Sequence, residues 1–95
     1  MQDDQFEWDD AKAAVNLAKH GVRFEAARDV FKDPFGVEWS DVGQTAREQR
    51  FVILGMVDSR LLFVAYTLRG ERIRIISARL AEPFERRRYH DENRT

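Results

Sequence analysis

Three apolar segments, Arg50 to Val57, Leu61 to Leu68 and Arg72 to Leu80, follow one another with only Asp58-Ser59-Arg60 and Arg69-Gly70-Glu71 between them. Links that short cannot carry a crossover, so the segments must pair as antiparallel strands in two consecutive hairpins. Within them, Phe51-Val52-Ile53-Leu54 and Leu61-Leu62-Phe63-Val64-Ala65 run apolar without alternation. That pattern belongs to strands covered on both faces, so each side of the meander needs a cover.

The flanking segments supply candidates. Gln5-Phe6-Glu7-Trp8 alternates as a short edge strand does, and Asp9 and Asp10 offer an N-cap. A helix is predicted from Ala11 to His20, presenting Ala11, Ala14, Val15 and Ala18 to the core and ending at Gly21. A second helix from Phe24 to Lys32 shares Phe24, Ala27, Val30 and Phe31 on one face and is stopped by Pro34. With so many alanines in these helices, Trp8, Phe24 and Phe31 must fill much of the core. Phe35 to Trp39 alternates as a strand, and Ser40 to Arg47 reads as a polar loop. A last helix opens at Pro83 and offers Phe84 and Tyr89 to the second face of the meander, with a partner protein covering the remainder and the chain fraying from Asp91.

The expected order is β-α-α-β-β-β-β-α. This is an α+β fold, an antiparallel sheet packed by two N-terminal helices with a C-terminal helix. At 95 residues the chain has the apolar content for one core, so residues 1–95 form a single domain.

Composition excludes several chemistries. The chain has no cysteine, which removes disulfides, thiolate catalysis and Cys-type zinc sites. It has no glycine-rich phosphate loop and no carboxylate array suited to magnesium, so neither a metal nor a cofactor is expected. No apolar run approaches the roughly 18–20 residues that span a bilayer, and a soluble, cytoplasmic protein without membrane contact is the default expectation.

Charge is distributed unevenly. The net charge of −1 divides into ten acids against five bases from Met1 to Asp41 and seven acids against eleven bases from Val42 to Thr95. The basic part includes Arg72, Arg74 and Arg79 on one predicted strand and Arg86-Arg87-Arg88 on the helix after it. Guanidinium is rarely buried unpaired, and its planar fork matches phosphate oxygens. A phosphate-bearing partner is one reading; a solvated surface of mixed charge is the other.

The segments Phe6-Glu7-Trp8-Asp9, Asn16-Leu17-Ala18-Lys19-His20-Gly21-Val22-Arg23-Phe24, Val30-Phe31-Lys32-Asp33-Pro34 and Ile73-Arg74-Ile75-Ile76-Ser77-Ala78-Arg79 together resemble the BrnT family of toxins. The resemblance runs from about Phe6 to Tyr89, with its motifs in the family's order and spacing. It implies a fold similar to RelE-type ribonucleases and a type II toxin that cleaves RNA. It also implies a BrnA-like antitoxin as neutralising partner, with operator DNA met only through that antitoxin.

Without a metal, cleavage would use the RNA's own 2′-hydroxyl as nucleophile and leave a 2′,3′-cyclic phosphate. Charge gathers on the non-bridging oxygens in such a displacement, which makes Arg79 the first candidate for its stabilisation and Arg72 or Arg74 the second. On a regular strand Arg79 would face away from Arg72 and Arg74, and only a bulge near Ile75-Ile76 would bring them together. Candidates for proton transfer are His20, Glu48 and Tyr89. His20 matches the family's Lys-His-Gly corner and either titrates in catalysis or caps the helix end. Glu48 either acts as base or forms a surface ion pair, and Tyr89 either stacks on RNA or packs on the protein. Lys19 and Arg87 complete the phosphate-binding candidates. A noncatalytic partner- or RNA-binding module on the same fold is the alternative function.

Overall fold

The structure, a computed structural model, describes residues 1–41 and 48–94. Its elements are β1 (Phe6–Glu7), α1 (Asp10–His20), α2 (Phe24–Asp29), β2 (Val37–Asp41), β3 (Arg50–Val57), β4 (Arg60–Arg69), β5 (Arg72–Leu80) and α3 (Pro83–Glu92). After α2 the chain tightens into a 3₁₀ turn over Val30–Lys32 before Pro34 ends it. The strand expected at Phe35 begins at Val37 and runs to Asp41, so the predicted polar loop loses its first residues to β2 and the rest lies outside the described residues.

The five strands form one sheet in the order β1-β5-β4-β3-β2. β2 to β5 are antiparallel, whereas β1 joins β5 in parallel, with Phe6 opposite Ile73 and Glu7 opposite Arg74. The sheet is therefore mixed, a correction to the antiparallel sheet expected. Two helices and three strands lie between β1 and β5, so no short link dictates their relative direction. In the β3-β4 hairpin, where Val57 pairs with Arg60, Asp58 and Ser59 make a two-residue turn at φ 48° and 67°. Positive φ at both positions matches the turn to the twist of the strands.

Asp9 caps α1 by accepting the Lys12 N–H at 2.9 Å, and Gly21, at φ 69°, ends it by donating to the Leu17 carbonyl. The face that α1 buries is not the one predicted. Ala11, Ala14, Val15 and Ala18 are exposed, Val15 to 65%, while Asn16 is buried. The cause lies in β5. β1 pairs with it only at Ile73 and Arg74, which leaves the rest of that side without a neighbouring strand. The Asn16 side chain takes the vacant place: Nδ2 donates to Ala78 O at 2.9 Å and Val22 O at 3.0 Å, and Oδ1 accepts the Ala78 N–H at 3.1 Å. A buried strand edge must have its backbone groups paired, and an amide can do this where alanine cannot.

Between the helices and the sheet lies the main core, containing Trp8, Val22, Phe24, Ala27, Val30, Leu62, Val64, Tyr66 and Ile75. Trp8 meets the Phe24 ring edge-on at 5.8 Å. Phe31 lies against Phe6 and Tyr66 but remains partly exposed, so it contributes less than a fully buried ring would. Gly55 on β3 admits the 3₁₀ turn, because a Cβ there would fall 2.5 Å from Val30 Cγ1 and 3.0 Å from its carbonyl oxygen.

The opposite face carries a smaller cluster of Val37, Leu54, Leu61 and Tyr89, with Trp39, Met56 and Phe63 against it. Tyr89 supplies the cover from α3 as expected; Phe84 does not, being 58% exposed.

Candidate functional site

β5 contains a bulge. Ser77 pairs with Ala65 and Ile75 with Tyr66, leaving Ile76 without a partner. Paired residues share a face, so the register puts Arg72, Arg74, Ser77 and Arg79 on the side of Arg69, Thr67, Ala65 and Phe63. Across this face runs one row, Glu7, Arg74, Thr67, Arg50 and Asp41, drawn from all five strands.

Two adjoining recesses open beside the bulge, with Lys12 and Ile76 in the walls of both. The first, of about 180 Å³, is ringed by Lys12, Arg50, Arg69 and Arg74, with Glu48 and Thr67. The second, of about 340 Å³, lies between α1 and β5, where Lys19 and His20 meet Ser77. The region thus brings together several cations, an imidazole and a hydroxyl.

The predicted residues divide into two groups. Arg74, Glu48, Lys19 and His20 line the recesses. Arg74 is held by Glu7, Nη1 to Oε2 at 2.6 Å, and Glu48 receives both the Nε and an Nη of Arg69, at 3.0 and 2.9 Å. The Arg69 guanidinium holds the Glu48 carboxyl below the usual carboxylate range, which favours the anionic form.

The other residues lie apart from the recesses. Arg79 shares the face of Arg74 but is closed on Glu85, with Nη1–Oε1 at 2.8 Å and Nη2–Oε2 at 2.9 Å, and its guanidinium rests 4.0 Å from the centre of the Phe63 ring. Glu85 is 3% exposed, so this pair anchors the start of α3 to β5. Tyr89 is buried, and its hydroxyl donates to Asp33 Oδ2 at 2.7 Å. Burial, with that hydrogen bond, pushes its phenol up to about 12. In this arrangement the ring belongs to the protein interior and is not offered for stacking. Arg72 donates to the Asp3 carbonyl at 2.7 Å beside β1, and Arg87 is exposed on α3.

Of the polar recess residues, Lys12, Arg50, Thr67, Arg69 and Ser77 were not anticipated. A signal for the first existed, since Lys12, Asn16 and Lys19 stand at i, i+4 and i+7 and so share a helix face. Two-residue turns at Asp58-Ser59 and Gly70-Glu71 would likewise have put Arg50 and Arg74 on either side of Thr67. Ser77 depends on the bulge and had no such signal.

Fold and site together define a small α+β domain with a cationic cleft between its first helix and its sheet. The family model described as ribonuclease toxin, BrnT, of type II toxin-antitoxin system matches residues 8–85. The chain belongs to this family of ribonuclease toxins. A search of curated proteins finds no match. No helix among the described residues is long and apolar enough to cross a membrane.

Proposed function

We propose that this toxin is a metal-independent endoribonuclease whose reaction takes place in the cleft between α1 and the bulge of β5. The observation that carries this reading is the confluence of Lys12, Lys19 and His20 from α1 with Arg50 and Arg74 from the sheet, around Ile76.

The 2′-oxygen attacks the adjacent phosphorus while the bond from phosphorus to the 5′-oxygen breaks, giving a 2′,3′-cyclic phosphate and a 5′-hydroxyl. One proton leaves the 2′-hydroxyl and one reaches the departing oxygen. His20 is assigned to proton transfer, as the only imidazole lining the recesses among the described residues. Arg74, Arg50 and Lys12 would hold the phosphate and stabilise the charge on its oxygens. Arg79 is reassigned from the reacting phosphate to positioning, since its charge is already met by Glu85. In the cell a BrnA-like antitoxin would neutralise the toxin, and operator DNA would be met only through that partner.

The test uses the protein freed of antitoxin and single-stranded RNA in EDTA. Cleavage with cyclic-phosphate ends is expected, with loss of cleavage where the scissile nucleotide is 2′-deoxy and a drop of about 100-fold or more for His20→Ala. Cleavage dependent on added divalent metal, or unaffected by the deoxy substitution, would refute the mechanism.

A noncatalytic RNA-binding module remains the second reading, favoured by one observation: Arg69, Arg74 and Arg79 each already hold a carboxylate. In that case His20→Ala would alter affinity only, and RNA would stay intact.

A further inference from the structure

We propose that the recess between α1 and β5 is a nucleobase subsite, which receives an unpaired base of the RNA strand whose phosphate occupies the neighbouring cationic recess. This deepens the function proposed above and rests on it for the identity of the strand.

Four observations lead there. α1 carries an apolar stripe, Ala11 and Val15, that the fold leaves uncovered, with Val15 65% exposed, and this stripe forms one wall of the recess. The opposite wall is the bulge, where Ile76 is freed from strand pairing and Ser77 adds a hydroxyl. Ser77 is half-buried in this wall, so its hydroxyl offers a polar group to the edge of a ligand. Finally, Lys12 and Ile76 belong to this recess and to the cationic one, so an apolar slot and an anion site share a boundary.

That combination matches the chemistry of a nucleotide. A base needs flat apolar contact with a few polar groups at its edge, while the phosphate next to it needs fixed positive charge. The slot is also rigid. Asn16 ties α1 to Ala78 and Val22 through three buried hydrogen bonds, so the spacing of the walls is set before any ligand arrives. A peptide segment would use the apolar walls but has no need of the cations around the adjoining recess, and for that reason the charge favours a nucleotide.

Ser77 is then a specificity residue and Val15 an affinity residue. Val15 is exposed on a helix, so Val15→Glu should fold, and it places a carboxylate in the slot. Expected are a rise in KM of roughly tenfold with kcat nearly unchanged, and for Ser77→Ala a several-fold change in base preference at one position of the cleavage site. A randomised single-stranded RNA pool, sequenced after partial digestion, reads the second effect. Unchanged KM together with unchanged preference at every position would overturn the subsite while leaving the nuclease assignment intact.

If the protein cuts no RNA, amide chemical-shift titration of the folded protein still decides the matter. A nucleoside 3′-monophosphate should perturb Val15, Ile76 and Ser77, and inorganic phosphate at the same concentration should not. Equal perturbation by both, or by neither, overturns the proposal, as does a slot that responds only to the antitoxin.

Discussion

Arg79 illustrates how one residue can carry a charge suited to catalysis and spend it on structure. Its two nitrogens meet the two oxygens of the buried Glu85, and the same carboxylate accepts the Glu82 N–H at 2.8 Å in a capping box that starts α3. Arg79→Ala therefore leaves an uncompensated buried carboxylate and should destabilise the fold by about 3 kcal/mol in urea denaturation, the lower end for a buried pair because Arg79 is 30% exposed. Lost activity in Arg79→Ala is thus not by itself a sign of catalysis. Glu85→Gln is the control: an Arg79 that acts on RNA directly would gain affinity there, whereas an Arg79 that positions α3 would not.

Asp33 is the second residue whose environment makes a measurable statement. Burial opposes its charge, but the N–H of Met56, the Tyr89 hydroxyl and the N–H of Phe35 outweigh that opposition and hold its carboxyl below the usual range. A folded pKa below the unfolded value of about 3.9 gives stability that is present above that pH and is lost as pH falls through the folded value. Acid should therefore release α3 from β3, and Asp33→Asn should flatten the acid limb of stability below about pH 4, followed by circular dichroism. At the alkaline end the sign reverses: Tyr89, raised to about 12, contributes fully below its ordinary value of 10.0 and loses that contribution as pH climbs towards 12.

Among the elements, the β3-β4 hairpin is the one most clearly set by its own residues. Its two-residue turn holds Asp58 and Ser59 at positive φ, where aspartate is tolerated and serine is strained. Ser59→Gly completes the preferred Asp-Gly turn and should stabilise the protein by about 1 kcal/mol, a rise in melting temperature of about 4–8 °C for a domain of this size. A fall would mean that Ser59 makes a contact the turn depends on. α1 shows the opposite case. Its caps are legible in Asp9 and Gly21, but the face it buries is not, because periodicity ranks residues by hydrophobicity and Asn16 is buried through its hydrogen bonds.

At the scale of the whole molecule, acidic and basic halves of the sequence do not become two ends of the fold. β5 brings Arg74 beside Glu7 of β1, while α1 from the acidic half brings Lys12 and Lys19 to the cleft. RNA bound as proposed would find Arg69 and Arg74 already paired to carboxylates and would set its phosphates against the cations of the cleft, so affinity should fall with salt. Each cation that contacts a phosphate adds about 0.7 to the slope of log K against log salt for a single strand. Lys12→Ala and Arg50→Ala should each lower that slope by about this amount, measured by fluorescence anisotropy with labelled RNA in a cleavage-resistant 2′-deoxy form. An unchanged slope in both would remove the cationic recess from the interface.

The meander, the helix caps, the order of elements and the family motifs are written locally, in short turns, periodic apolar residues and a few fixed spacings, so reading the chain was enough for them. The parallel return of β1, the bulge at Ile76 and the burial of Asn16 are not local. β1 and Asn16 satisfy the backbone of β5 far along the chain, and the bulge is a shift of register between β4 and β5 that no residue type announces. Sheet register and the placement of α1 decided which charges remained for a ligand: Arg79 closes on Glu85, only six residues further on, while His20, Lys12 and Arg74 come to the cleft. Residue types could nominate those side chains, but only their register in space could sort them.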